Sequence, residues 1–200
     1  MSIDHVSDAD ADLVFRAREG DAAAFGALVE RHRAAVYRAT RSALGSHADA
    51  EDAAQDAFLL AYRRLGSFRG ASSFKTWLLT IAWHAAINRR RSLTRIWRRQ
   101  VDNRPDEDGP DVMANVAASG PTPEQAAAHE DLRRGIRRAI TALSPTLRDA
   151  LLLVQAGEHT YEEIGAMLGT PTGTIKWRVS EARRKVKETL RADGFSNVVD

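Results

Sequence analysis

The chain has no cysteine among its 200 residues. Disulfides and thiolate metal sites are therefore excluded. No apolar run reaches the roughly 20 residues needed to span a bilayer. The opening stretch, "MSIDHVSDADADLVF", is acidic, where a secretory signal would start basic and turn apolar. These absences predict a soluble cytoplasmic protein. There is also no phosphate-binding glycine loop and no metal-spaced set of histidines, so neither catalysis nor a cofactor or metal site is expected. No alternating strand pattern of useful length appears either. The expected fold class is all-α, in one or two small domains.

What the chain has instead is charge laid out in blocks. The formal net charge is only +2. Residues 1–60 carry 6 Lys and Arg against 11 Asp and Glu, whereas residues 61–104 carry 11 against 1. Residues 105–131 carry none against 7, and residues 132–200 carry 12 against 8. Two basic blocks separated by an acidic one fit two contacts to a polyanion, joined by a strap that avoids it.

Helical periodicity organises the rest. From Asp21, a plausible N-cap, "DAAAFGALVERHRAAVYRATRSAL" puts Phe25, Leu28, Val29, Val36 and Thr40 on one side. "HADAEDAAQDAFLLAYRRL" turns Ala54, Ala57, Phe58, Ala61, Tyr62 and Leu65 inward, and Asp49, Glu51, Asp52, Gln55 and Asp56 outward. Residues 66–74, "GSFRGASSF", read as a loop, with Ser72 or Ser73 able to cap the next helix. That helix runs from Phe74 to the Arg89–Arg91 run and buries Phe74, Trp77, Leu78, Ile81 and Ala85. Residues 101–123 hold four of the six prolines and form a flexible acidic linker. Beyond it, Leu132, Ile136, Ile140 and Leu143 face inward on one helix. Ser144 and Pro145 start the next, and Gly157 stops it. Thr160 and Glu163 have capping-box spacing. Gly169 ends that helix, and Thr172 is placed to cap the last one.

The last two helical segments, joined by Gly169, Thr170 and Pro171, have the spacing of a helix-turn-helix. If Ile175, Val179, Ala182 and Val186 face the core, the opposite face holds Thr174, Lys176, Trp177, Ser180, Glu181 and Arg184. Lys176, Trp177, Ser180 and Glu181 then suit base edges: Lys donates to guanine, Glu accepts from cytosine, and Trp packs on a thymine methyl. Thr172, Thr174, Arg178, Arg183 and Lys185 suit phosphates. The alternative is a helical hairpin with a solvated basic face. A tryptophan on that face favours DNA.

The loop and helix "SFRGASSFKTWLLTIAWHAAINRRR" interleave aromatic and basic residues, which suits unstacked single-stranded bases. The alternative is that the aromatics are core. Phe74 and Trp77 fall on the apolar stripe, while Trp83, His84 and Asn88 lie largely off it. Asp49, Asp52 and Asp56 share one face. A divalent ion there would lack its remaining ligands, so a docking surface for a basic partner, or a plain solvated face, is the better reading.

Together, "GDAAAFGALVERH", "DAEDAAQDAFLLAYRRLGSFRGASSFKTWLLTIAWHAAINRRR" and "LSPTLRDALLLVQAGEHTYEEIGAMLGTPTGTIKWRVSEARRKVKETL" resemble the extracytoplasmic-function (ECF) sigma factors of bacterial RNA polymerase. The resemblance implies a sigma region 2 domain over 1–100, a linker over 101–123 and a region 4 helix-turn-helix domain over 124–200. It implies binding to core polymerase, through the clamp of the largest subunit and the flap of the second. Asp49, Asp52, Gln55 and Asp56 would dock on that clamp. Phe68, Arg69, Gly70, Ser72, Ser73 and His84, with Asn88 and Arg89 following, would hold a flipped base of the melted −10 strand. Thr172, Thr174, Lys176, Trp177, Arg178, Ser180, Glu181 and Arg184 would read the −35 duplex, although Trp177 stands where the family often has a small polar residue. The acidic linker would lie near the basic RNA exit path. An anti-sigma factor is a further implied partner, and no additional C-terminal domain is expected. A polymerase-independent helix-turn-helix regulator is the rival reading.

Overall fold

In the computed structural model, backbone is described over residues 5–101 and 123–195, and side chains within 10–94 and 129–195. The described elements are helical throughout, and the chain divides into two compact units, residues 1–109 and 110–200. The strap between the helices, residues 102–122, lies outside the described residues.

The first unit contains α1 (His5–Arg18), α2 (Ala22–Leu44), α3 (His47–Arg64), a single 3-10 turn (Leu65–Ser67) and α4 (Phe74–Val101). Helices α2, α3 and α4 pack mutually, and α1 lies along α2. The contacts are lined with alanine: Ala39, Ala43, Ala50, Ala57, Ala61, Ala82 and Ala86 are all fully buried. Such small side chains let helix axes approach closely. The larger core groups are Leu28, Val36, Leu44, Leu78, Leu79 and Trp83.

Several positions in this unit differ from the sequence expectation. Trp83 is not off the stripe: it is 1% exposed, one of the largest fully buried side chains. The reason is that α4 packs against both α2 and α3, so its buried arc is wider than one stripe and takes in Leu79, Trp83 and Ile87 as well. Burying ~200 Å² of indole at ~25 cal/mol per Å² contributes about 5 kcal/mol as an upper figure. Tyr62 is the converse case. It is expected inward yet is 50% exposed, lying edge-on to Phe25 at 4.9 Å between ring centroids. Trp77 and Ala85 are half-buried instead of fully buried.

Two helix boundaries also move. Helix α4 continues to Val101, past Arg91, where the sequence reading stopped. Helix α1 has no counterpart in that reading, because its acidic composition masks a short apolar set. Val14 and Ala17 are buried and Leu13 half-buried.

The second unit contains α5 (Pro123–Ala142), α6 (Pro145–Gln155), α7 (Tyr161–Leu168) and α8 (Thr172–Ala192). Helices α5, α6 and α7 all pack on α8. Local chemistry fixes the ends. Thr160 Oγ1 accepts from Glu163 N at 3.1 Å, and Glu163 returns a carboxylate to Thr160 N at 2.8 Å, completing the capping box. Gly169 closes α7 at φ +59°, a left-handed C-cap. Two expected caps differ. Ser144 sits at the N-cap of α6 but makes no capping bond with its side chain. Thr172 is the first residue inside α8, and Pro171 occupies the cap position. Proline presets the backbone there without donating a bond.

Candidate nucleic-acid interface

Two surfaces gather the residues singled out by the sequence. The first is α8 with the turn before it. Ile175, Val179 and Ala182 are buried and Val186 half-buried, so α8 presents the opposite arc outward. On it Lys176, Ser180 and Arg184 are exposed, and Trp177 is 61% exposed. Lys176 Nζ lies 5.9 Å from the centroid of Tyr161, the first residue of α7, so the ring steers the ammonium as a cation–π partner. Thr172 and Thr174 are half-buried at the N-terminus of α8. Arg178 is half-buried and donates to Thr170 Oγ1 in the turn at 3.3 Å.

Glu181 and Arg184 engage each other. Arg184 donates to Glu181 through Nε at 2.9 Å and Nη2 at 2.7 Å, and to Glu188 through Nη1 at 2.5 Å. The Arg184 hydrogen bond holds the Glu181 carboxyl below the ordinary Glu value, and Glu181 in turn raises Arg184. In the free protein these two residues, both expected on the DNA-facing side, therefore form one closed fork.

Gly165 supports this geometry from within α7. A Cβ there would lie 2.7 Å from Thr170 O and 3.6 Å from Thr172 N. Only glycine lets α7 and the turn approach so closely. A glycine inside an amphipathic helix is itself a signal of close backbone approach, and Gly165 is a functional position missed on that signal.

The second surface is the segment from Leu65 through the start of α4. Phe68 is half-buried, with its ring centroid 5.8 Å from Phe74 and 5.3 Å from Trp77. Arg69, Gly70 and Ser72 are exposed, with Gly70 at φ +71°. Ser73 caps α4, its Oγ accepting from Thr76 N at 3.1 Å. His84 and Asn88 are exposed one turn apart on α4. Arg89 is engaged differently. It donates to Asp49 at 2.9 Å and to Asp52 at 2.8 Å, and the bond to Asp49 raises its pKa. The structure thus joins two sets that the sequence kept apart, the acidic face of α3 and the basic run of α4. Gln55 and Asp56 on α3 are exposed.

Arg18, to which no local pattern assigns a role, also belongs to this surface. From the end of α1 its Nε donates to Leu65 O at 3.1 Å and its Nη2 donates to Phe68 O. A contact across some fifty residues leaves no local pattern. Among the described residues, no helix is long and apolar enough to cross a membrane.

Known proteins match in the same two places. Residues 28–96 match the family model described as Sigma-70 region 2, and residues 133–186 that of Sigma-70, region 4. The RNA polymerase sigma-H factor of Pseudomonas aeruginosa is 32% identical over 184 residues, covering 91% of this chain and 94% of the relative. The ECF RNA polymerase sigma-E factor of Escherichia coli K12 is 36% identical over 185 residues, covering 90% and 93%. Two solved structures are also similar. CnrH in complex with the cytosolic domain of CnrY has a TM-score of 0.63 at 27% identity, covering 92% of this chain and 99% of the other. The sigma factor RpoE in complex with the anti-sigma factor NepR from Bartonella quintana has a TM-score of 0.56 at 30% identity, covering 84% and 98%. With these matches over both units and nearly the whole length, the chain belongs to the ECF sigma factors.

Proposed function

We propose that this chain binds core RNA polymerase and directs it to a class of promoters, reading the −35 duplex with α8 and the melted −10 strand with the Phe68–Ser73 loop and the start of α4. It performs no bond chemistry of its own and acts in the cytoplasm, where its template is. The observation that carries this reading is the pairing, on one chain and in family order, of a loop rich in aromatic and basic groups with an exposed Lys176–Trp177 face on the last helix.

Lys176, Trp177 and Ser180 are the groups for base edges. Thr172, Thr174 and Arg178 set register on the backbone. Glu181 and Arg184 join them once their mutual fork opens. In the first unit, Phe68, Arg69, Gly70, Ser72 and Ser73 form or flank a base pocket, and His84 and Asn88 extend it. Asp49, Asp52, Gln55 and Asp56 face the polymerase clamp. The segment 1–100 acts as region 2, 101–123 as the acidic strap along the RNA exit path, and 124–200 as region 4, which meets the flap. A solved relative captured with an anti-sigma factor supports the same kind of partner here. A polymerase-independent regulator is not favoured, because both matched segments are sigma regions.

The test is run-off transcription from fragments of the organism's own genome with core polymerase, with and without the chain. Discrete transcripts that require the chain, and that vanish with Lys176→Ala plus Trp177→Ala, are expected. An unchanged transcript set on adding the chain would refute the proposal.

A further inference from the structure

We infer that Arg18 is a positioning residue for −10 recognition, and that α1 is the strut that carries it. The inference rests on the reading of residues 66–73 as the −10 loop. Much of what shapes that loop is short-range. Ser67 Oγ donates to Arg64 O at 2.6 Å, Phe68 N donates to Leu65 O at 3.2 Å, and Ser72 Oγ donates to Ser73 O at 3.3 Å. Gly70, at φ +71°, adds freedom. Against these stands one guanidinium that brackets the 3-10 turn. Arg18 holds the carbonyl where the turn begins, Leu65 O, and the carbonyl just after it, Phe68 O. Fixing both carbonyls fixes the direction in which the chain leaves towards Arg69. It also fixes the tilt at which Phe68 meets Phe74 and Trp77. A planar fork does this with two parallel donors, whereas an ammonium acts as a point charge.

The strut is anchored at its other end. Asp10 is buried and accepts from Arg31 at 2.6 Å and pairs with His32 Nε2 at 2.9 Å. His32 in turn lies 5.6 Å, centroid to centroid, from Phe74. Between the anchors, Val14 and Ala17 are buried. Past Arg18 the chain turns back, with Asp21 N donating to Arg16 O at 3.0 Å and the Arg16 guanidinium reaching the Asp21 carboxylate at 2.7 Å. Thus α1 spans from the floor under Phe74 to the rim of the loop, yet it lies wholly outside the matched segment 28–96.

The test uses the full chain with core polymerase on fork templates of a promoter found by run-off: duplex −35, single-stranded non-template −10. Affinity is measured for the native −10 strand and for strands with each base replaced, and separately for replacements at −35. Arg18→Ala is expected to lower discrimination at −10 about tenfold and leave −35 discrimination unchanged. Arg18→Lys should lose most of it too, although it keeps the charge. Native −10 discrimination in Arg18→Ala would overturn the inference. Full rescue by Arg18→Lys would overturn it as well, since a phosphate contact needs only charge. If Arg18→Ala fails to fold by circular dichroism, Arg18→Lys alone decides by the same criterion. Arg69→Ala and Phe68→Ala run in parallel. Loss in these with native behaviour in the Arg18 variants sinks the positioning role alone. Native behaviour in all of them sinks the −10 reading itself.

Discussion

The two units place their proposed reading surfaces by different means. In the second, the surface is one helix, and its orientation follows from nearby sequence: a capping box at Thr160, a left-handed Gly169 and a buried stripe at Ile175, Val179 and Ala182. In the first, the surface is a loop, and its shape follows from a residue 50 positions away. A helix carries its own scaffold in its hydrogen bonds, whereas a loop borrows one from the rest of the fold. The difference teaches where damage should spread: widely from the core in the first unit, locally from the turn in the second.

Breaking the first unit's core should have the largest effect. Trp83→Ala removes a fully buried indole from among α2, α3 and α4 and is expected to cost about 3–5 kcal/mol. Amide hydrogen exchange checks this: protection should fall across α2–α4 and persist across α6–α8. Next is the turn of the second unit. Gly165→Ala drives a methyl to 2.7 Å from Thr170 O and should cost about 1–3 kcal/mol. Fork-template binding should lose −35 dependence while −10 strand affinity stays native.

The α1 anchor should give a smaller, pH-dependent effect. Burial raises the Asp10 pKa, but the bonds from His32 and Arg31 outweigh it and hold the carboxyl below its ordinary 3.8. A depressed carboxylate contributes stability that is fully present above the unfolded value and lost as pH falls through the folded one. Asp10→Asn should therefore be less stable than the native chain at pH 7, by about 2 kcal/mol. The gap should close as the pH falls below about 4. Urea titrations at pH 7 and pH 3 read it directly. The smallest effect belongs to Glu181→Ala. The Glu181–Arg184 pair is exposed on the arginine side, so stability should move by less than about 0.5 kcal/mol. Released from Glu181 and held only by Glu188, Arg184 should instead raise affinity for duplexes regardless of −35 sequence, seen as a steeper salt dependence of holoenzyme binding.

How much was legible in the sequence follows the same division. On α8 the buried set was readable from its 3.6-residue period, and Lys176, Trp177 and Ser180 lie exposed where that period puts them. The α7 capping box was readable as a spacing. Trp83 was not, because a stripe argument assumes one packing neighbour and α4 packs chiefly against two, α2 and α3. The Arg89 bridge to Asp49 and Asp52 was not, because periodicity says which way a side chain points and nothing about what meets it from another helix. Helix α1 was missed for its charge: Asp10 reads as a surface residue until Arg31 and His32 are seen around it. The acidic strap was expected over 101–123; residues 102–122 of it fall outside the described residues, while Val101 ends α4 and Pro123 starts α5.

The most direct test of the account is a nuclease footprint on a promoter found by run-off, taken with the chain alone and with the chain bound to core polymerase. The account predicts no specific protection by the chain alone, and protection of both −35 and −10 elements once polymerase is present. Sequence-specific protection by the chain alone at nanomolar concentration, unchanged by polymerase, would contradict it.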